Sequence, residues 1–274
     1  MSITARIKQK SLFKKKMNIE DIIKFTGLSY GVCDENYRLD RDEIGEHTLI
    51  YDETKLARGF ELWLEGSDVL LSLSLPTAPS EIRLFYSLVE KLCNEFNTKK
   101  YLREDEEAYL YEDEEFIKWD EEASIVALEE MTSKTEDEYR CFEIFGIYNP
   151  ISIGQRELQR IDCNLNNLEE YLNEIQSLDV YYATPSVFRT DELFGIYSIV
   201  ADIPCVVPNK PYIILDQIKG INYWYVMIRK GMTVTYDDFI NHISSKEYYD
   251  ANHVIALLND NEIDALIEQY SVEI

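Results

Sequence analysis

Apolar and polar residues alternate at the start of the chain. Ile3, Ala5 and Ile7 share one side, and Lys8 and Lys10 fall on the other, which predicts a half-exposed strand over residues 3–9. The pattern then changes period. Asn18 as cap, Asp21 three residues on, apolar Ile19, Ile22 and Ile23, and Gly27 as the stop predict a short helix over 18–26. Two strand-like runs, Gly59–Leu64 and Val69–Leu75, flank the turn residues Glu65-Gly66-Ser67-Asp68 and predict a β-hairpin that ends at Pro76. Ile82, Phe85, Leu88, Val89, Leu92 and Phe96, at spacings of three and four, predict a helix over about 79–97.

Beyond residue 140 the chain reads mainly as strands. Residues 141–147, 180–183, 195–201 and 223–228 are rich in Tyr, Ile and Val, and Lys230-Gly231 reads as a turn into Thr233-Val234-Thr235. Helices are expected at about 166–176, 236–244 and 260–271, the last capped by Asn259 with Glu262 at the reciprocal position. Strands and helices that do not strictly alternate predict an α+β fold, with antiparallel or mixed sheets and packed helices. The polar stretch 132–138 suggests two regions, 1–135 and 136–274, of similar size; a single domain is the alternative.

Charge changes this picture most. Asp and Glu number 52 against 27 Lys and Arg, a net charge of −25. Residues 1–16 carry Arg6, Lys8, Lys10, Lys14, Lys15 and Lys16 and no acid, so the remainder bears −31. Such a surface repels phosphate backbones and anionic lipid, which argues against nucleic-acid and membrane partners and favours basic ones. Solubility alone is the simpler account of the same charge. The excess is concentrated in residues 104–122, where eleven of nineteen positions are acidic and Tyr109, Leu110, Tyr111, Phe116, Ile117 and Trp119 fill the gaps. A helix is expected to begin inside this segment and run to about Met131.

Five widely spaced cysteines, with no CxxC pair and no clustering with the three histidines, suggest reduced thiols and a cytoplasmic location. The basic start lacks the apolar run of a signal peptide, and no apolar stretch is long enough to span a membrane. Catalytic signatures are missing. There is no P-loop, dinucleotide fingerprint, GxSxG elbow or HExxH, and no cofactor is expected. Asp40–Tyr51 imitates a calcium loop but holds Ile44 and Tyr51 where oxygen ligands belong, so no metal site is expected either.

Two candidate sites remain. In the first, Tyr109, Tyr111, Glu112, Asp113, Glu114, Glu115 and Trp119 form a surface for a basic protein: rings supply desolvated contact while carboxylates steer and pair with Lys or Arg. An immunity- or antitoxin-like inhibitor needs that combination; an ordinary solvated face is the competing account. In the second, His253 acts as acid or base, Asp250 orients it, and Arg58 clamps an anion in a small-molecule pocket near Tyr248–His253. The competing account is a capped turn with packed tyrosines.

The strings Lys55-Leu56-Ala57-Arg58-Gly59-Phe60-Glu61, Asn149-Pro150-Ile151-Ser152-Ile153-Gly154, Asp179-Val180-Tyr181-Tyr182-Ala183 and Lys246-Glu247-Tyr248-Tyr249-Asp250-Ala251-Asn252-His253 carry a resemblance. Over nearly its whole length the chain resembles an uncharacterised bacterial family, the domain of unknown function DUF4299. The resemblance implies a bacterial, cytoplasmic protein and brings no activity, ligand or catalytic residue with it.

Overall fold

The computed structural model describes residues 1–9, 16–137 and 140–274, without the side chains of Glu136, Asp137 and Asp216. Lys10, Lys14 and Lys15 of the basic start, and Glu138 of the polar stretch, lie outside the described residues. The chain divides into two compact units, Met1–Ser177 and Leu178–Ile274.

In the first unit, β1 (Ser2–Lys8) precedes α1 (Ile19–Thr26), then β2 (Ser29–Cys33), β3 (Leu39–Arg41), β4 (Thr48–Tyr51), β5 (Phe60–Glu65) and β6 (Asp68–Ser74). Next come α2 (Pro79–Glu95), β7 (Lys100–Arg103), β8 (Glu106–Tyr109), α3 (Asp113–Asp137), β9 (Cys141–Phe145), β10 (Pro150–Gly154), α4 (Gln155–Ile161) and α5 (Leu165–Gln176). Eight strands form one antiparallel sheet in the order β3-β2-β4-β5-β6-β1-β7-β8. The alternation at the start of the chain has its expected effect. Ile3, Ala5 and Ile7 are buried in one core cluster with Leu62, Leu71 and Leu73, with Ile22 and Ile23 of α1, and with Ile82, Phe85, Val89 and Leu92 of α2. In α1, Asn18 and Asp21 close the reciprocal cap, and Gly27 (φ 70°) ends the helix in a conformation that needs no Cβ.

The division does not fall at 135–136. α3 runs through that position, because residues 132–137 lack the Pro or Gly that would stop a helix, and β9, β10, α4 and α5 belong to the first unit.

The second unit contains β11 (Tyr181–Tyr182), β12 (Ser186–Arg189), β13 (Leu193–Ser198), β14 (Cys205–Pro208), β15 (Ile221–Arg229), β16 (Met232–Thr235), α6 (Tyr236–His242), β17 (Lys246–Tyr248), β18 (His253–Ala256), α7 (Asp260–Tyr270) and β19 (Ser271–Val272). A mixed sheet β11-β14-β18-β17 and a second mixed sheet β12-β13-β15-β16-β19 share a core of Tyr197, Val207, Val226, Val234, Phe239, Ala256, Ile263 and Leu266. Helices with antiparallel and mixed sheets make the fold α+β, as the pattern of the sequence predicts.

Candidate functional site

The acidic segment begins as a hairpin. β7 and β8 pair through Arg103↔Glu106, and the turn residues Glu104 and Asp105 take positive φ angles of 51° and 63°. Glu112 accepts a hydrogen bond from the Tyr109 backbone N–H at 2.8 Å, and α3 starts at the next residue. From there the acids sort by helix face. Asp113, Ile117, Asp120, Ser124 and Leu128 recur at the helical period and are all buried, so two of the carboxylates point inward.

Each inward carboxylate has donors. The Tyr101 hydroxyl donates to Asp113 at 2.8 Å. Burial pushes Asp113 up to about 6, against the pull of that hydrogen bond. Tyr86 and Arg103 both donate to Asp120 at 2.5 Å, and Arg103 Nε donates to the Tyr86 oxygen at 3.0 Å. Burial again raises Asp120, while Tyr86 and Arg103 oppose it. The Arg103 guanidinium also lies over the Phe116 ring, 4.8 Å from its centroid. These carboxylates fasten α3 to the β7–β8 hairpin and to α2.

The outer face is different. Tyr111 is 79% exposed and Trp119 49%, with Glu114, Glu115 and Glu122 exposed beside them. Tyr109 is half-buried and stacks on Tyr111, with centroids 5.4 Å apart and an interplanar angle of 19°. Trp119 rests edge-on against Phe116. Of the seven residues proposed for partner contact, Asp113 faces the interior and Glu112 is spent on a backbone cap. Tyr111, Glu114, Glu115 and Trp119 remain exposed, with Tyr109 stacked against Tyr111.

Arg58 belongs to a separate buried cluster in the first unit. Its Nε donates to the Phe145 carbonyl and its Nη1 to the Pro76 carbonyl, both at 3.1 Å. Its backbone N–H and that of Gly59 donate to Glu81 at 3.0 and 2.6 Å, and the Thr77 hydroxyl donates to the same carboxylate. Burial pushes Glu81 up to about 7 and Arg58 down to about 10, each partly offset by the other's charge. A guanidinium committed to two carbonyls is a brace for the 55–59 loop, not an anion clamp. Gln176 supports the same loop, donating to Ala57 O at 2.6 Å and accepting from the Tyr148 N–H at 3.1 Å. An open cavity of about 400 Å³ adjoins it, lined by Thr54, Lys55, Asn166, Glu169, Glu170 and Asn173.

Asp250 and His253 do meet, in the second unit. Asp250 Oδ1 lies 2.7 Å from His253 Nδ1 and accepts from the backbone N–H groups of Asn252 and His253, both at 2.9 Å. On the other side of the ring, Nε2 lies 3.0 Å from the Tyr182 hydroxyl and 3.1 Å from that of Tyr212. Tyr212 is itself held by Tyr197, whose hydroxyl donates to the Tyr212 carbonyl and accepts from its N–H. The turn is capped, as the simpler account expects, and His253 is only 2% exposed. Among the described residues, the Tyr249 hydroxyl, buried nearby, has no hydrogen-bond partner.

Tyr182, Tyr212, Glu81 and Gln176 were not legible as site residues. The available signal was the pairing of the four marked strings. Lys55–Glu61 meets the turn just before Asn149–Gly154 through Ile147 N to Ala57 O, and Asp179–Ala183 meets Lys246–His253 through Tyr182 and His253. Among the described residues, no group of three or more His, Cys, Asp or Glu gathers to hold a metal ion, and no helix is long and apolar enough to cross a membrane. No curated protein and no solved structure matches the chain. The model of one family, described as Domain of unknown function (DUF4299), matches residues 2–266, nearly the full length, and the chain belongs to that family.

Proposed function

We propose that this protein is a non-enzymatic binding module whose acidic, aromatic face on α3 engages a basic protein. The observation that carries the reading is the exposure of Trp119, Glu115 and Glu122 on one side of α3, with Tyr111 exposed just before its start. Exposed rings beside unburied carboxylates provide what a cationic partner requires: apolar area to desolvate and charge to orient the encounter. Its most concrete form is an immunity- or antitoxin-like inhibitor that covers the cationic site of a nuclease or similar enzyme. The five cysteines form no disulfide among the described residues, which supports a reducing cytoplasm as its location.

The test compares the full chain with the Glu114→Lys/Glu115→Lys/Glu122→Lys variant as immobilised bait for basic proteins. Capture at low salt should fall as ionic strength approaches ~0.5 M, where screening shortens to a few ångströms, and the variant should capture nothing. Capture that ignores both salt and charge reversal defeats the proposal.

A second reading follows from the Asp250–His253 contact. Asp250 fixes the Nδ1–H tautomer, so Nε2 faces Tyr182 and Tyr212 as an acceptor, and half-buried Tyr212 is the group nearest solvent. In this reading the cluster passes a proton to or from a small molecule at Tyr212. Tyr212→Phe would then abolish ligand binding or turnover without unfolding the protein, whereas a change in stability alone leaves only a packed turn.

A further inference from the structure

The outer face of α3 carries a repeat as well as a charge. With 25 residues, α3 is about 37 Å long at 1.5 Å per residue. Trp119 and Val126 are seven residues apart and 49% and 59% exposed. Glu115, Glu122 and Glu129, also seven apart, are all exposed and flank them on one side. Seven residues fall about 20° short of two full turns, so each set forms a nearly straight row along the axis with steps of about 10.5 Å.

The two kinds of acid differ in how they are satisfied. Inward Asp120 is paired with Arg103, and Glu121 at the edge is paired with Arg83. Among the described residues, none of Glu115, Glu122 and Glu129 has a cation of its own chain against it. Exposed Lys118, three residues after Glu115 and four before Glu122, offsets one charge, so the row keeps a net −2 beside a line of uncovered apolar side chains.

We infer that the partner docks on α3 as a basic amphipathic helix lying along it, with apolar side chains on Trp119 and Val126 and a parallel row of Lys or Arg on the three glutamates. The inference rests on the function proposed above and specifies the partner's form. Only a helix repeats both rows at the same step. A strand returns to one face every ~6.7 Å, out of phase with 10.5 Å. A polyproline segment repeats at about 9.3 Å and slips by roughly 2.4 Å over the glutamate row. From Glu115 to Ser133 the exposed row runs about 27 Å, so the matching helix has about 18 residues.

The experiment uses the full chain and a labelled synthetic peptide of about 21 residues, three heptads of Leu, Ala and Lys with Leu and Lys rows seven apart. Two controls keep its charge: a scrambled peptide that stays helical but loses the rows, and the original with two central prolines. Fluorescence anisotropy at low salt should show the heptad peptide binding at least about tenfold tighter than either control. Trp119→Ala should lower that affinity about tenfold and Glu115→Lys/Glu122→Lys/Glu129→Lys should abolish it; circular dichroism checks that the variants, all at exposed positions, stay folded. If all three peptides bind alike, the helical partner is refuted while the acidic contact surface stands. If none binds, both proposals fail.

Discussion

Removing the Asp120 carboxylate tests the division of α3 into an inner and an outer acidic face. Asp120 is buried, its side chain 2% exposed, and receives two charge-assisted hydrogen bonds, from Arg103 and Tyr86. Asp120→Ala strands the Arg103 guanidinium, whose side chain is only 16% exposed, and leaves the Tyr86 hydroxyl without its acceptor. Breaking a buried ion pair from one side costs about 3–5 kcal/mol. The partial exposure of Arg103 and its contact with the Phe116 ring place the loss at the lower end, about 3 kcal/mol. Glu122→Ala removes an exposed, unpaired carboxylate a few residues away and should change stability by less than about 0.5 kcal/mol. Urea unfolding followed by fluorescence reads both variants, with Trp63 and Trp119 in the first unit and Trp224 in the second. At a slope of ~3 kcal/mol/M, Asp120→Ala should lower the first unit's midpoint by about 1 M, and Asp120→Asn by less. The reasoning is refuted if Asp120→Ala leaves the midpoint within ~0.2 M of wild type, or if Glu122→Ala shifts it equally.

Further consequences can be checked separately. Glu81 has its folded pKa raised to about 7 from an ordinary 4.5, so the native state binds the proton more tightly. Its contribution is therefore greatest below pH 4.5 and is lost as pH rises through 7. Urea midpoints measured across that window should show the wild-type advantage over Glu81→Gln shrinking with rising pH; a constant difference contradicts the assignment. A Cβ at Gly195 would sit 2.3 Å from the Trp224 ring, so Gly195→Ala should destabilise the second unit by about 1–3 kcal/mol in thermal unfolding, and a neutral result means the indole yields freely. Tyr182→Phe or Tyr212→Phe alone should cost about 1 kcal/mol, since the other hydroxyl still reaches His253 Nε2. The double variant should cost more than the two losses added, and simple additivity in a double-mutant cycle rules out a shared acceptor.

Where one physical rule governs a segment, the sequence was readable. Period two placed β1, and the cap-and-stop pair Asn18 and Gly27 placed α1. A tight turn at Gly66 placed the β5–β6 hairpin, and Asn259 with Glu262 placed the start of α7. Short strands such as β7, β8, β14 and β18 escaped notice because four residues show too little alternation, and long-range pairing decides them. In the acidic segment the sequence misled in a specific way. Asp113 and Asp120 occupy the buried stripe of α3 and read as surface charge, because their partners Tyr101, Tyr86 and Arg103 come from other elements. His253 and Asp250, three residues apart, could be paired by eye; Tyr182 and Tyr212, some 71 and 41 residues away, could not.

Fastening α3 from beneath has a kinetic consequence for anything that lands on it. Arg103, Tyr86 and Tyr101 hold the helix against the hairpin and α2 before any encounter, so its outer side chains need no folding step to become competent. Association should then be a single collision-controlled phase, accelerated toward ~10⁸ M⁻¹s⁻¹ at low salt and slowing steeply as salt is added. Differences in lifetime among partners would come from how well the apolar row is covered.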